Sequence, residues 1–183
     1  MKGIIFNLLE EVVRNEYGDD TWDAWLEAAQ LDGVYTSVGS YPEQDLIKLV
    51  TAAAATLEMP ADAVVRWFGH AAVPVLAEKY PQFFDGHQST RSFLLTLNDI
   101  IHPEVRKIYP GADVPEFDYD TTSSDQALIM GYKSTRRLCA LAEGFIAGTT
   151  AYYGETLTFD QPQCMKRGDS RCEFRITFNR REP

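Results

Sequence analysis

The 183-residue sequence predicts a single α+β domain, helices first and an antiparallel sheet after. Three observations carry that expectation. Apolar residues recur at helical spacing through the first hundred positions; from Glu116 the texture changes to alternation; and one further apolar helix, Leu138 to Tyr153, falls between the alternating stretches. Helices followed by strands, rather than a repeating βαβ order, is the α+β arrangement. The expected division is one domain over 1–183, with a helical N-terminal lobe over 1–60 and a second lobe over 61–183.

Each element has its own signal. Ile4, Ile5, Leu8, Leu9, Val12 and Val13 share one helical face, so the first sixteen residues predict an amphipathic helix ending near Gly18. Asp20 is placed to cap a short helix carrying Trp22, Trp25 and Leu26, with the tryptophan pair as core. Tyr35 to Tyr41 reads as a loop around Gly39 and Ser40. Pro42, tolerated in a first turn, opens a helix through Leu46, Leu49, Val50 and the alanine run to Leu57. Met59-Pro60 breaks the chain, and a helix continues from Ala61 to Ala72 until Pro74 disturbs it. A fifth helix gathers Phe93, Leu94, Leu97, Ile100 and Ile101 and delivers His102. Pro103 should disfavour the α conformation at His102 and make the helix kink or restart. Pro110-Gly111 closes that segment. The strands are expected at Phe117 and Tyr119, at Ala127 to Tyr132, at Thr156 to Phe159 and at Cys172 to Phe178, with Gly168-Asp169 in the last hairpin.

Composition narrows the function. The length suffices for a real core or a buried cofactor, and 45% hydrophobic with 24% charged residues is ordinary globular usage. A net charge of −10 argues against sequence-independent nucleic-acid binding, which depends on a basic surface. No apolar run is long enough to cross a membrane, and Asn7, Glu10 and Glu11 interrupt the opening run too early for a signal peptide. A soluble, cytoplasmic protein is expected. Three cysteines, an odd count, suit reduced thiols or a metal site better than a disulfide framework. No nucleophile–base pair, phosphate loop or carboxylate dyad stands out, so a non-enzymatic role is expected.

Two stretches carry the chemistry: Asn98-Asp99-Ile100-Ile101-His102-Pro103-Glu104-Val105, and Tyr132-Lys133-Ser134-Thr135-Arg136. In an extended backbone Tyr132, Ser134 and Arg136 line one face, and two hydroxyls with a guanidinium suit a carboxylate or phosphate. A lone imidazole over an apolar pocket, with a carboxylate clamp opposite, is what binding haem needs; the plainer reading is a helix-end histidine and a surface arginine. His70 and His87 carry no metal-ligand spacing and are expected to be structural or on the surface. Cys164-x7-Cys172 flanks the last hairpin and Cys139 lies on the preceding helix, so three thiolates sharing a tetrahedral zinc stand beside plain reduced thiols. Lys166, Arg167, Arg171, Arg175, Arg180 and Arg181 make either a solvated basic face or a contact for a partner's acidic patch.

These residues also resemble the haem-nitric oxide/oxygen binding (H-NOX) family, bacterial relatives of the soluble guanylate cyclase sensor domain. The resemblance runs over nearly the whole chain: Met-Lys-Gly-Ile-Ile-Phe-Asn at the start, Ile-Ile-His-Pro-Glu-Val, Tyr-x-Ser-x-Arg at 132–136, and Ala-Glu-Gly-Phe-Ile-Ala-Gly after it. It implies haem b between the lobes. His102 would be the proximal iron ligand, Tyr132, Ser134 and Arg136 would hold the propionates, Pro115 would press on the porphyrin and Ile5 would contact the macrocycle. Counted through Gly144, the distal tyrosine of oxygen-binding members corresponds to Leu141, and other polar-support positions correspond to Leu9 and Ala72. An apolar gas side implies binding of nitric oxide at ferrous iron, and of carbon monoxide, with weak or no oxygen binding.

In such sensors nitric oxide weakens the iron–histidine bond. The resemblance therefore implies release of His102, lobe rotation, and signalling in trans to a histidine kinase or a cyclic-dinucleotide signalling protein, since no effector segment is visible. Some members also carry a three-cysteine zinc site with a histidine three residues before the second cysteine. Gln161 stands at that position here, leaving Asp160, a backbone group or water as the fourth ligand. Cys-Met-Lys-Arg-Gly-Asp-Ser-Arg-Cys-Glu-Phe additionally resembles a C-terminal motif of vinyl-reductase-type small-molecule-binding domains, which implies an alternative: a haem-free regulatory module for an apolar metabolite.

Overall fold

In the computed structural model, which describes residues 1–120 and 126–180, the first apolar stripe forms α1 (Gly3–Tyr17) and buries Phe6, Leu8, Leu9, Val12 and Val13. Gly18 turns the chain at φ 87° and caps α2 (Asp19–Ala29). Asp20 is therefore not the cap; with Asp19 it lies inside the first turn, where a carboxylate opposes the positive end of the helix dipole. Trp22 and Trp25 are core, as expected. Pro42 precedes α3 (Glu43–Leu57), whose Leu46 and Leu49 pack inward.

The next helix differs from the expectation. α4 (Ala61–Lys79) does not stop at Ala72 but runs through Pro74. A proline in a helix leaves the carbonyl four residues back without its donor, here that of His70, and α7 (Cys139–Tyr152) crosses at this point. A Cβ added to Gly148 would lie 2.6 Å from the His70 carbonyl oxygen. One added to Gly144 would lie 2.2 Å from that of Arg66, and one on Gly69 2.6 Å from that of Leu141. The two helices thus touch backbone to backbone. Val64, Phe68 and Ala72 of α4 belong to the N-terminal core, while Val73 and Ala77 belong to the second core. Packing divides along α4, not at residue 60.

The helix expected to deliver His102 is broken into three pieces. α5 (Thr90–Leu94) is followed by a π-helical turn, Leu97–Ile101, and then by α6 (His102–Ile108). Within the wide turn the Ile101 amide donates to the carbonyl of Thr96 (3.1 Å) and the His102 amide to that of Leu97, five residues back in each case. The helix restarts at His102, but His102 itself is helical (φ −64°, ψ −37°) despite Pro103. Pro103 falls in the first turn of α6, where a helix tolerates a proline.

β1 (Glu116–Asp120), β2 (Ala127–Lys133), β3 (Glu155–Gln163) and β4 (Cys172–Arg180) form an antiparallel sheet in the order β1-β2-β4-β3. Leu128, Met130, Tyr132, Phe174, Ile176 and Phe178 fill the second core with Ile146 of α7. The Asn98 side chain joins the π turn to edge strand β1. Its Nδ2 donates to the Phe117 carbonyl (2.5 Å) and its Oδ1 accepts from the Phe117 amide (3.3 Å). Among the described residues no helix is long and apolar enough to cross a membrane.

The close helix crossing sets a test. Gly144→Ala should destabilise the chain by about 1–3 kcal/mol, since the added methyl meets backbone that cannot yield. Gly86→Ala, with nothing within 4 Å of the added carbon, should be near neutral. Urea denaturation of both variants measures the difference.

Candidate functional site

Between the two cores lies a cavity of about 540 Å³, within the range of small-molecule sites. Its walls are mostly apolar: Ile5 and Leu8 from α1, Val73 and Leu76 from α4, Leu141 and Phe145 from α7, and Phe83, Phe93 and Leu97 beside the π turn. Polar groups gather at a few points.

His102 is the first of these. Its imidazole lines the cavity and stacks against Phe117, ring centroids 5.6 Å apart. Burial, with the Arg106 charge in support, pushes its pKa down to about 4, and the nearby Pro115 backbone pulls only weakly the other way. Nδ1 is buried without a hydrogen-bond partner of ordinary geometry. Such an imidazole is neutral at pH 7 and keeps a nitrogen lone pair for a metal.

The second point is the trio at 132–136, which converges, though not as an extended strand would bring it together. β2 ends at Lys133, and the chain turns at once, the Arg137 amide donating to the Ser134 carbonyl (3.2 Å) with Arg137 at φ 51°. Tyr132, Ser134 and Arg136 all line the cavity. Burial raises the Tyr132 phenol to about 12, so it is a donor at neutral pH. Arg136 is already engaged: Nε donates to Glu43, and a terminal nitrogen donates to the Asp113 carbonyl at 2.5 Å. Pro115, two residues after Asp113, also lines the cavity.

Ile5 and Leu141 face the cavity, but Leu9 and Ala72 do not line it. Both are buried in the N-terminal core, against which Ile5 and Leu141 pack. Sequence reasoning missed four hydroxyls in the lining: Ser40, Tyr80, Tyr109 and Thr149. The Tyr80 and Tyr109 hydroxyls hydrogen-bond to each other at 2.5 Å. No motif marks that pair, which lies 29 residues apart in the chain. Phe117 was findable, since the alternation of its strand puts it on the inner face.

The three thiols come together as the spacing allowed. The sulfurs of Cys139, Cys164 and Cys172 lie within 4.8 Å of one another, and the first two are 3.7 Å apart. A tetrahedral zinc with bonds of about 2.3 Å spaces its sulfurs by roughly 3.8 Å. Burial raises the Cys172 thiol to about 12. Burial pushes Cys164 up as well, but the backbone amides of Lys166 and Arg167 and the neighbouring thiols outweigh it and hold Cys164 below its usual value. Gln161 sits in the irregularity between Asp160 and Gln163 with its Nε2 buried and unpaired. Asp160 is exposed and outside the thiol cluster, opposite Arg175 in the strand register.

The basic run is not a free face. Lys166 pairs with Asp62, Arg171 with Asp118 (2.6 Å) and Arg175 with Glu173 (3.0 Å), while Arg167 donates to the Gln161 carbonyl (2.6 Å). The Arg180 side chain and Arg181 lie outside the described residues. His70 is exposed, and His87 packs against Phe93.

Comparison with known proteins bears on this arrangement. The Haem-NO-binding family profile matches residues 2–161. An H-NOX protein from S. oneidensis in the Fe(II) state, a triple mutant, superposes with a TM-score of 0.91 at 33% identity, over 100% of this chain and 98% of that one. The S. oneidensis Fe(II)NO structure gives 0.90 at 33% identity, covering 98% and 99%. The Fe(II)CO structure from Shewanella oneidensis gives 0.88 at 32% identity, again covering 98% and 99%.

The depressed His102 pKa sets the pH dependence. Between the usual imidazole value and about 4, the unfolded chain takes up a proton that the folded imidazole refuses. Stability is thus fully present above pH 6.5 and is lost as pH falls toward 4. The cofactor-free chain should lose roughly 2 kcal/mol from this source between pH 7 and 5. His102→Gln should remove that part of the loss in denaturation curves at the two pH values.

Proposed function

The chain belongs to the haem-NO-binding (H-NOX) family, and from that premise we propose that it is a haem-based nitric oxide sensor that signals to a separate protein. The observation that carries the reading is His102: a neutral, unpartnered imidazole in an apolar cavity, with the donors of Tyr132, Ser134 and Arg136 in the same lining. That donor set fits haem b, with His102 on the iron and the other three on the propionates. When bound, ferrous haem supplies the site for the gas.

The protein's residues would do the rest. Ile5, Leu141 and Phe145 offer a gas no hydrogen-bond donor, and the polar groups of the lining beside them are neutral hydroxyls, of which Tyr80 and Tyr109 share one hydrogen bond. Nitric oxide and carbon monoxide need no such donor, while oxygen binding is weak or absent without one. Pro115 lines the same cavity beside His102 and would lie against the ring of a bound haem.

His102 opens α6, so loosening its hold frees that helix to move about the π turn, which Asn98 ties to β1. The two cores then rotate along their shared helix, α4. A gas shifts this equilibrium only by its differential affinity for the two arrangements. The output passes in trans to a histidine kinase or a cyclic-dinucleotide signalling protein, as the family resemblance implies. A cytoplasmic location fits three unpaired thiols. The alternative, an apolar-metabolite module, has the same cavity but no use for a buried imidazole lone pair.

We also propose structural zinc on Cys139, Cys164 and Cys172, supported by their spacing and burial, with water or a backbone group as fourth ligand. Elemental analysis should find one zinc per chain and none in Cys172→Ser.

Absorption spectra test the main reading. The ferrous protein should be coloured, change spectrum with nitric oxide, and form no lasting oxygen complex in air. His102→Gly with added imidazole should still bind the gas but fail to pass the signal on. A colourless chain that cannot be reconstituted, or a stable oxygen spectrum, contradicts the reading.

A further inference from the structure

The guanidinium of Arg136 holds more than one partner before any ligand is considered. Of its five N–H donors, the one on Nε goes to the Glu43 carboxylate, one on a terminal nitrogen goes to the Asp113 carbonyl (2.5 Å), and the other terminal nitrogen lies 3.2 Å from the Asp113 carboxylate. Two donors remain, and Arg136 lines the cavity with Ser134 and Tyr132. Only 17% of its side chain is exposed, so its geometry is fixed.

The partners come from different parts of the fold. Glu43 is the first residue of α3, whose Leu46 and Leu49 are buried in the N-terminal core. Asp113 sits in the link between α6 and β1, two residues before Pro115. A single cation therefore fastens the N-terminal core to the loop beside His102. Arg136 faces two carboxylates, with the Met1 amino group and Lys2 in the same charge cluster, so an incoming carboxylate has to compete with Glu43 and Asp113 for the guanidinium.

We propose that Glu43 shares Arg136 with the cofactor's carboxylates, acting at once as a strap between the N-terminal core and the clasp and as a competitor for the same guanidinium. This rests on the haem reading above. Its consequence is opposite in sign to that of an ordinary stabilising ion pair: removing the Glu43 charge tightens the clasp on the propionates while loosening the strap.

The experiment compares the wild type with Glu43→Gln, loaded either with haem or with the dimethyl ester of the same haem, which lacks the propionate charges. Transfer of haem to an excess of apoglobin should slow roughly threefold to tenfold in Glu43→Gln, the effect of one partly exposed charge. It should shrink in high salt, and the ester should leave both proteins at equal rates. Faster haem loss, no change, or an equal change for both pigments overturns the competition.

The strap is read separately, without pigment, by a double-mutant stability cycle of Glu43→Gln and Arg136→Gln. Non-additive losses support it, and additive ones overturn it. A chain that takes up neither pigment overturns the sensing reading and the sharing of Arg136 with it, while the cycle still decides the strap.

Discussion

Keeping one imidazole uncharged and unpaired inside an apolar wall is the constraint on which the structure around it turns. A buried polar atom without a well-formed hydrogen bond is costly, and His102 Nδ1 has only the Pro115 backbone near it. Around it, Phe117 stacks on the ring and Asn98 locks the preceding π turn to the Phe117 backbone. The histidine is thereby held at the first position of a short helix that has few other attachments.

The cavity exists because two cores share one helix. α4 contributes to both, and α7 lies against it so closely that glycines occupy the crossing. Backbone contact of this kind leaves no side chains to compress, so the pair behaves as a stiff beam between the cores. Arg136, just before α7, links α3 to the loop before β1 through Glu43 and Asp113.

Electrostatics are spent mostly inside the fold. With a net charge of −10, the chain has acids to spare, and the cations near the last hairpin are taken up by Asp62, Asp118 and Glu173. A run of positive residues in sequence is therefore not a positive patch in space. Arg136 is the cation that faces the cavity while holding acidic partners, which makes its neighbours matter to any carboxylate bound there.

Much was legible from local pattern. Helical spacing gave α1 to α4 and α7, alternation gave the four strands, and the residue types and spacing singled out His102, Tyr132, Ser134 and Arg136, which do line one cavity. Those features depend on residues near one another in the chain, where propensity and periodicity act directly. The passage of α4 through Pro74, the π turn before His102, the turn that really converges the clasp, the retreat of Leu9 and Ala72 into the core, and the hold of Glu43 on Arg136 were not legible. Each depends on which distant segment fills the space beside it: α7 against His70, β1 against Asn98, α3 against Arg136. The sequence by itself determined the elements and the types of donor. The tertiary structure alone decided which donors share a wall and which are already taken, because that depends on packing between distant residues, 93 positions apart for Arg136 and Glu43 and 104 for Lys166 and Asp62.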